Sequence, residues 1–412
     1  MADATEAPSE AARGGVPHVT IAALGLVTIA AYGAAFYAFG VLLGPILDDT
    51  EWSEAVVAGA FSASTLIGAF GAALAGRYVD AIGARTVMLV GGLAGCAALG
   101  AASIAPNLLT FTAMYAIGGG LVSATGFYHV TQAAAARAAT RDPARGIMLL
   151  TLYGAFAGPI YLPITGFLVE ATDWRFTLGV LAVASAVGFT IAALAVPRAE
   201  PVPQSDQPAT PILEALTEPR ARALLASQMI GGIGLSTLMV YQVPLMVAAG
   251  LPLTAAASVA GVRGLAQFAG RAAIIPIVPR VGARPVLTAS YVLMGLSALL
   301  LAVSGTVPIA LVYVIIAGVA VGVWSPIAAV YAQSIFPPER VATLLGTQRM
   351  LGGIGGAIGP LVAGIIAEST GSRAPTIVII MVGALAGAVV LEVGTRRARR
   401  AVTPSAQPTT GG

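Results

Sequence analysis

The feature that most constrains this chain is a series of apolar stretches, each as long as a bilayer is thick. Crossing a membrane as an α-helix takes about 20 mostly apolar residues. Twelve such segments can be read, at 20–47, 53–77, 86–105, 108–136, 146–170, 175–196, 223–249, 254–279, 285–304, 308–335, 341–368 and 374–394. Within lipid a backbone must satisfy its own hydrogen bonds, so segments of this length read as helices. The predicted fold is therefore all-α and integral to the membrane, with twelve transmembrane helices. Composition supports this: 57% of residues are hydrophobic and 9% charged, against about 25% charged in a soluble domain. A soluble globular fold and a disordered chain are both excluded.

The first segment is too long for the core of a cleaved signal peptide, and Gly25, Gly33, Gly40 and Gly44 give it a small-residue packing face. Residues 1–19 and 396–412 read as polar tails. The only long polar stretch inside the chain is the proline-rich 197–222. It separates a six-helix unit at 20–196 from another at 223–395.

Charge sorting sets an orientation. All 21 basic residues are arginine. With both termini in the cytoplasm, sixteen arginines fall on the cytoplasmic side, and only Arg175 and Arg373 on the other. Asp48, Asp49, Glu51, Glu54, Glu170, Asp173 and Glu368 then lie outside. Loop arginines mark the cytoplasmic side, so a multi-pass protein of the cell (inner) membrane with cytoplasmic termini is expected. The net charge of +3 is spread along the whole chain, which favours a membrane partner over nucleic acid.

The same inventory removes much chemistry. Without lysine there is no Gly-Lys phosphate loop, Schiff base or lysine general base. A single cysteine, Cys96, excludes an internal disulfide or a cysteine zinc site. His18 and His129 stand too far apart for a local metal motif. No nucleophile–base constellation is visible, so an enzyme is not expected, nor is a cofactor or a metal.

The two halves repeat at an offset near 200 residues. Ile82-Gly83-Ala84-Arg85-Thr86-Val87 matches Val281-Gly282-Ala283-Arg284-Pro285-Val286, and Tyr115 matches Tyr313. Gly154-x-x-x-Gly158-Pro159 matches Gly355-x-x-x-Gly359-Pro360. Gly166-x-x-x-Glu170-x-Thr172-x-x-Arg175 matches Gly364-x-x-x-Glu368-x-Thr370-x-x-Arg373. Two six-helix units in the same orientation are related by an axis along the membrane normal, with a substrate site between them.

The loop Gly76-Arg77-Tyr78-Val79-Asp80-Ala81-Ile82-Gly83-Ala84-Arg85 resembles the signature loop of the major facilitator superfamily, with Ala81 in place of the usual basic residue. The resemblance covers about residues 20–395. It implies a monomeric transporter of a small molecule, with Gly76, Asp80, Gly83 and Arg85 in a gating loop. The stretch from Trp52 to Arg85 and an arginine in the eighth segment resemble, within the superfamily, the monocarboxylate and oxalate–formate transporters.

The deep ionisable groups are Arg263 and Arg271 in the eighth segment, Arg349 in the eleventh and His129 in the fourth; no aspartate or glutamate lies as deep. Each central arginine costs about 2.5–3.5 kcal/mol on insertion scales. Such groups must face a wet cavity or an anion, and with no deep carboxylate the natural partner is an anionic substrate. Arg263, Gln267 and Arg271 share one broad helix face, and Arg271 and Arg349 lie at compatible depths below the middle of their segments. The guanidinium fork suits a carboxylate. The resemblance implies that Arg271 is the carboxylate-binding arginine, and Gln267 replaces an acidic residue found in those transporters.

The expected substrate-binding set is Arg271, Arg349, Arg263, Gln267, Tyr128, His129, Tyr37, Tyr241, Gln242 and Trp324, with Tyr32 and Tyr153 as further cavity candidates. Plainer readings stand beside each: Arg263 can snorkel outward, His129 can be satisfied by a neighbouring helix, and the aromatics can be packing. His129 is the one deep group that titrates between about pH 5 and 8. Gly154-x-x-x-Gly158-Pro159 resembles an element of drug–proton antiporters, but its recurrence in the eleventh segment reads as close helix packing. The function expected is proton-coupled transport or exchange of small monocarboxylates or dicarboxylates. The alternative is a multidrug exporter, disfavoured for cationic drugs by the missing deep carboxylate.

Overall fold

The computed structural model describes residues 17–140, 142–197, 218–335 and 338–402, without the side chains of 144, 338–346 and 397–402. The tails expected at 1–19 and 396–412 and the linker expected at 197–222 fall largely outside the described residues.

The described chain is helical. In order, α1 is His18–Thr50, α2 Glu54–Ile82, α3 Ala84–Ser103, α4 Leu108–Ala138, α5 Pro143–Ala171 and α6 Trp174–Ala195. The second half supplies α7 Pro219–Ala248, α8 Leu253–Val281, α9 Ala283–Leu301, α10 Val307–Ile335, α11 Pro338–Thr370 and α12 Thr376–Val402. Side-chain oxygens of Ser53, Asn107, Asp142, Asp173 and Glu218 accept from free N–H groups at the starts of α2, α4, α5, α6 and α7. Gly83 and Gly282 end α2 and α8 at φ 83° and 86°. An L side chain is strained there, so glycine recurs at both copies of the loop.

Eleven of these helices are long and apolar enough to cross a membrane. The exception is α8, which has 29 residues but carries Arg263, Gln267, Arg271 and Arg280. The sequence reads it as an ordinary span; its length fits, but its polarity requires shelter from lipid.

Four helices depart from regularity, α3 among them through a π-helical turn at Met88–Gly92. A π-helical turn at Gly33–Tyr37 interrupts α1. Phe127 breaks α4 with extended backbone (ψ 172°), separating Leu108–Gly126 from Tyr128–Ala138. A turn at Ala155 and Phe156 divides α5.

The halves meet through α1 with α7, α2 with α11 and α5 with α8. Glycines allow the approach. A Cβ on Gly166 would meet Ala257 Cβ at 2.8 Å, and one on Gly364 would meet Ala55 Cα and Ala58 Cβ at 3.0 Å. The repeated Gly-x-x-x-Gly-Pro elements also pack closely: Pro159 lies against Gly264, and Gly355 and Gly359 lie against the α7 backbone. The end of the molecule holding Asp48–Glu54, Glu170 and Glu368 is termed the acidic end, and the opposite one the arginine-rich end.

Candidate substrate site between the two bundles

The break at Phe127 builds the centre of the site. Extended backbone there starts a new helical piece with Tyr128 and His129. Tyr32, just before the π turn of α1, stacks on Phe127 with ring centroids 3.7 Å apart and planes 6° apart. Its ring also lies 5.2 Å from that of Tyr128. Glycine at 154 leaves room for the Tyr128 hydroxyl.

Two arginines from the other bundle address this aromatic group. Arg271 on α8 is half-buried and Arg349 on α11 is exposed. The charges of both reach the Tyr128 phenol, and that of Arg349 also reaches Tyr32 and His129. Neither arginine makes an ion pair among the described residues. Arg271, Arg349, Tyr128, His129 and Tyr32 are thus brought together. His129 Nε2 donates to the Ala124 carbonyl at 2.7 Å, a carbonyl freed by the break in α4.

Arg263 does not snorkel. It is 1% exposed, and Gln267 is 7% exposed. Its guanidinium carbon lies 5.7 Å from the centre of the Tyr37 ring on α1. The insertion cost of this arginine can be counted from sequence, but its neighbours cannot, so its burial beside another bundle was not legible.

The remaining candidates have other neighbours. Tyr241 is buried near Glu54 and Arg373 at the acidic end. Gln242 is buried and accepts from the Tyr313 hydroxyl at 3.3 Å. Trp324 packs edge-on against Tyr291 within the second bundle. Tyr153 is exposed beside Gly25. Of the residues expected in a gating loop, Gly76 and Asp80 lie instead within α2, whose helical hydrogen bonding runs on to Ile82, five residues past the expected end at 77. Asp80 pairs with Arg137 of α4, and Arg137 Nη1 donates to the Val79 carbonyl at 3.1 Å. Gly76 has open space around it, and Arg85 is half-buried.

The sequence reading left Glu170 and Glu368 out of the candidate set, yet both make contacts between the bundles. Glu368 Oε2 accepts from the Ser53 hydroxyl at 2.6 Å and from the Ala55 N–H at 3.1 Å. Glu170 Oε1 accepts from the Thr254 N–H at 2.8 Å. Arg373 donates to both carboxylate oxygens of Glu54 at 3.0–3.1 Å. These contacts join the bundles at the acidic end, and those of Glu368 and Arg373 border a pocket of about 840 Å³ lined by Trp52, Ser53, Glu54, Glu368 and Arg373. That pocket is remote from Arg271 and Arg349.

Two pseudo-symmetric helical bundles with a polar site between them define a membrane transporter, not an enzyme. Residues 25–279 and 224–411 match the Major Facilitator Superfamily, and the chain belongs to it. No curated protein sequence matches the chain. Among solved structures, the nucleoside transporter NupG is similar at a TM-score of 0.76 and 15% identity, covering 93% of this chain and 99% of that one. The D-xylose-proton symporter has a TM-score of 0.70 and 15% identity, covering 91% and 96%. A bacterial homolog of the human lysosomal transporter Spinster, inward-facing and unoccupied, has 0.69 and 14%, covering 94% and 98%. At these identities the likeness is one of fold.

Proposed function

We propose that the protein is a secondary transporter of small organic anions working by alternating access. The observation that carries this reading is the convergence of Arg271 and Arg349 on Tyr128, between the bundles and without an ion-pair partner among the described residues. Two guanidinium groups in a site partly screened from water favour a carboxylate, which each can hold through a charge-assisted hydrogen bond. The arginine-rich end faces the cytoplasm, in keeping with the charge bias of the loops. The resemblance to monocarboxylate and oxalate–formate transporters supports the same substrate class, with coupling by protons or by exchange. Export of cationic drugs is disfavoured, because it would need a deep carboxylate to attract the cation.

The test is counterflow in proteoliposomes with a panel of carboxylates, sugars, nucleosides and cationic drugs. Arg271→Ala and Arg349→Ala should each abolish carboxylate transport while leaving expression intact, with binding weakened by about 2–5 kcal/mol. Wild-type carboxylate affinity in Arg271→Ala would overturn the reading.

A further inference from the structure

Arg263 is a buried charge whose hydrogen-bonding capacity is unfilled. Its Nε and Nη1 have no hydrogen-bond partner, and it makes no ion pair among the described residues. Its stem leans on α10 at Gly318, where a Cβ would meet Arg263 Cγ at 3.3 Å. Its charge reaches Tyr313, whose hydroxyl donates to Gln242 Oε1. Gln242 Nε2 is buried and also lacks a partner. The surroundings thus hold unfilled donors and a positive charge, and such orphaned groups call for an ion or ligand.

The position adds a second constraint. Arg263 and Arg271 lie eight residues apart on α8, about 12 Å along the helix axis. Helical side chains lean toward the N-terminus, so both guanidinium groups shift the same way and the separation persists. The Tyr37 ring faces Arg263, and its phenol is within electrostatic range of those of Tyr32 and Tyr128, which both sense Arg349.

We infer that Arg263 is a second carboxylate seat and that the substrate is a dicarboxylate, one end held by Arg271 and Arg349 and the other by Arg263. This rests on the organic-anion reading and narrows it. A dianion with adjacent carboxylates cannot reach both seats; one with several methylenes between its carboxylates can. In the state described here the Arg263 seat is closed, so the groups packed around it must move to admit the second carboxylate.

Binding of a chain-length series of unbranched dicarboxylates to the wild-type protein, with matched monocarboxylates, tests this without any variant. Affinity should rise at least tenfold once the chain spans both seats. Equal affinity for dicarboxylates and matched monocarboxylates would overturn the inference. In Arg263→Gln the long dicarboxylates should fall to the monocarboxylate level, with monocarboxylate binding unchanged; equal losses for both would also overturn it. Arg263→Met should raise the unfolding temperature of the ligand-free protein, because an unpaired buried charge is removed; a lower temperature would mark Arg263 as structural and overturn the inference. Carboxylate binding that is insensitive to Arg271→Ala would instead sink the organic-anion reading itself.

Discussion

At the acidic end, Glu170 closes α5 on α8 and Glu368 closes α11 on α2, and the two contacts are copies with two differences, the first being that Glu368 also accepts from the Ser53 hydroxyl where α8 is preceded by Pro252. In each, a glycine one turn before the carboxylate lets the helices touch: Gly166 against Thr254 and Ala257, Gly364 against Ala55 and Ala58. In each, the carboxylate accepts from an N–H in the first turn of the receiving helix, at Thr254 or Ala55. Those N–H groups have no partner within the helix and carry partial positive charge. The second difference lies one residue before those N–H groups. Glu54 begins α2 and takes a two-pronged contact from Arg373, whereas Leu253 begins α8. The matching arginine, Arg175, turns into its own bundle and donates to the Ser103 and Ala105 carbonyls. Duplication kept the cap and the glycine in both copies, and of these two contacts the ion pair across the bundles belongs to α2 and α11 alone. Opening of the acidic end should therefore begin between α5 and α8.

The largest effect is expected from Arg373→Ala. Arg373 and Glu54 are 26% and 13% exposed, so their contact lies between a surface pair and a buried one. Its loss should shift the balance toward an open acidic end by about 1–3 kcal/mol. Distances between spin labels on the acidic ends of α2 and α11 should lengthen, while those between α5 and α8 change less. Equal lengthening of both would show that the bundles separate as one body, and the asymmetry would carry no consequence.

A smaller effect separates the carboxylates themselves. Glutamine keeps an acceptor oxygen but loses the charge that strengthens the bond. Glu368→Gln weakens two hydrogen bonds and Glu170→Gln one. Amide exchange should accelerate at the start of α2 in the first variant and at the start of α8 in the second, with the larger acceleration in the first. The reverse ranking would place the stronger closure on α5 and α8.

The asymmetry was only half legible in the sequence. Hydropathy located the helices, closely at 175–196 against Trp174–Ala195 but five residues short at 53–77 against Glu54–Ile82. The repeat of Gly166 through Arg175 in Gly364 through Arg373 was also visible. Its targets were not, because Thr254, Ser53 and Ala55 belong to the opposite bundle and the contact exists only once the bundles pack. The break at Phe127 and the π turn at Gly33–Tyr37 were invisible for another reason. The first segment remains apolar across its turn, and the fourth turns polar only at His129, after its break; apolarity reports depth in lipid rather than the hydrogen-bond register of the backbone. The deep arginines were legible because their insertion cost is local. The burial of Arg263 was not, because it depends on Tyr37 and α10.

The smallest effect is expected at the opposite end. Asp80 pairs with Arg137, joining α2 to α4 inside one bundle, and the two side chains are 50% and 32% exposed. The resemblance to the superfamily loop would instead place Asp80 against the start of α11, where the side chains of 341–346 lie outside the described residues. A pair within one bundle cannot hold two bundles together, and an exposed pair contributes about 0–1 kcal/mol. Asp80→Asn should therefore leave ligand affinity unchanged and the label distances between the arginine-rich ends of α2 and α11 unaltered in the state described here. A shift of those distances, with transport slowed more than binding, would show that Asp80 exchanges Arg137 for α11 during the cycle. The arginine-rich end would then have its own latch across the bundles, and the contrast between the two ends would disappear.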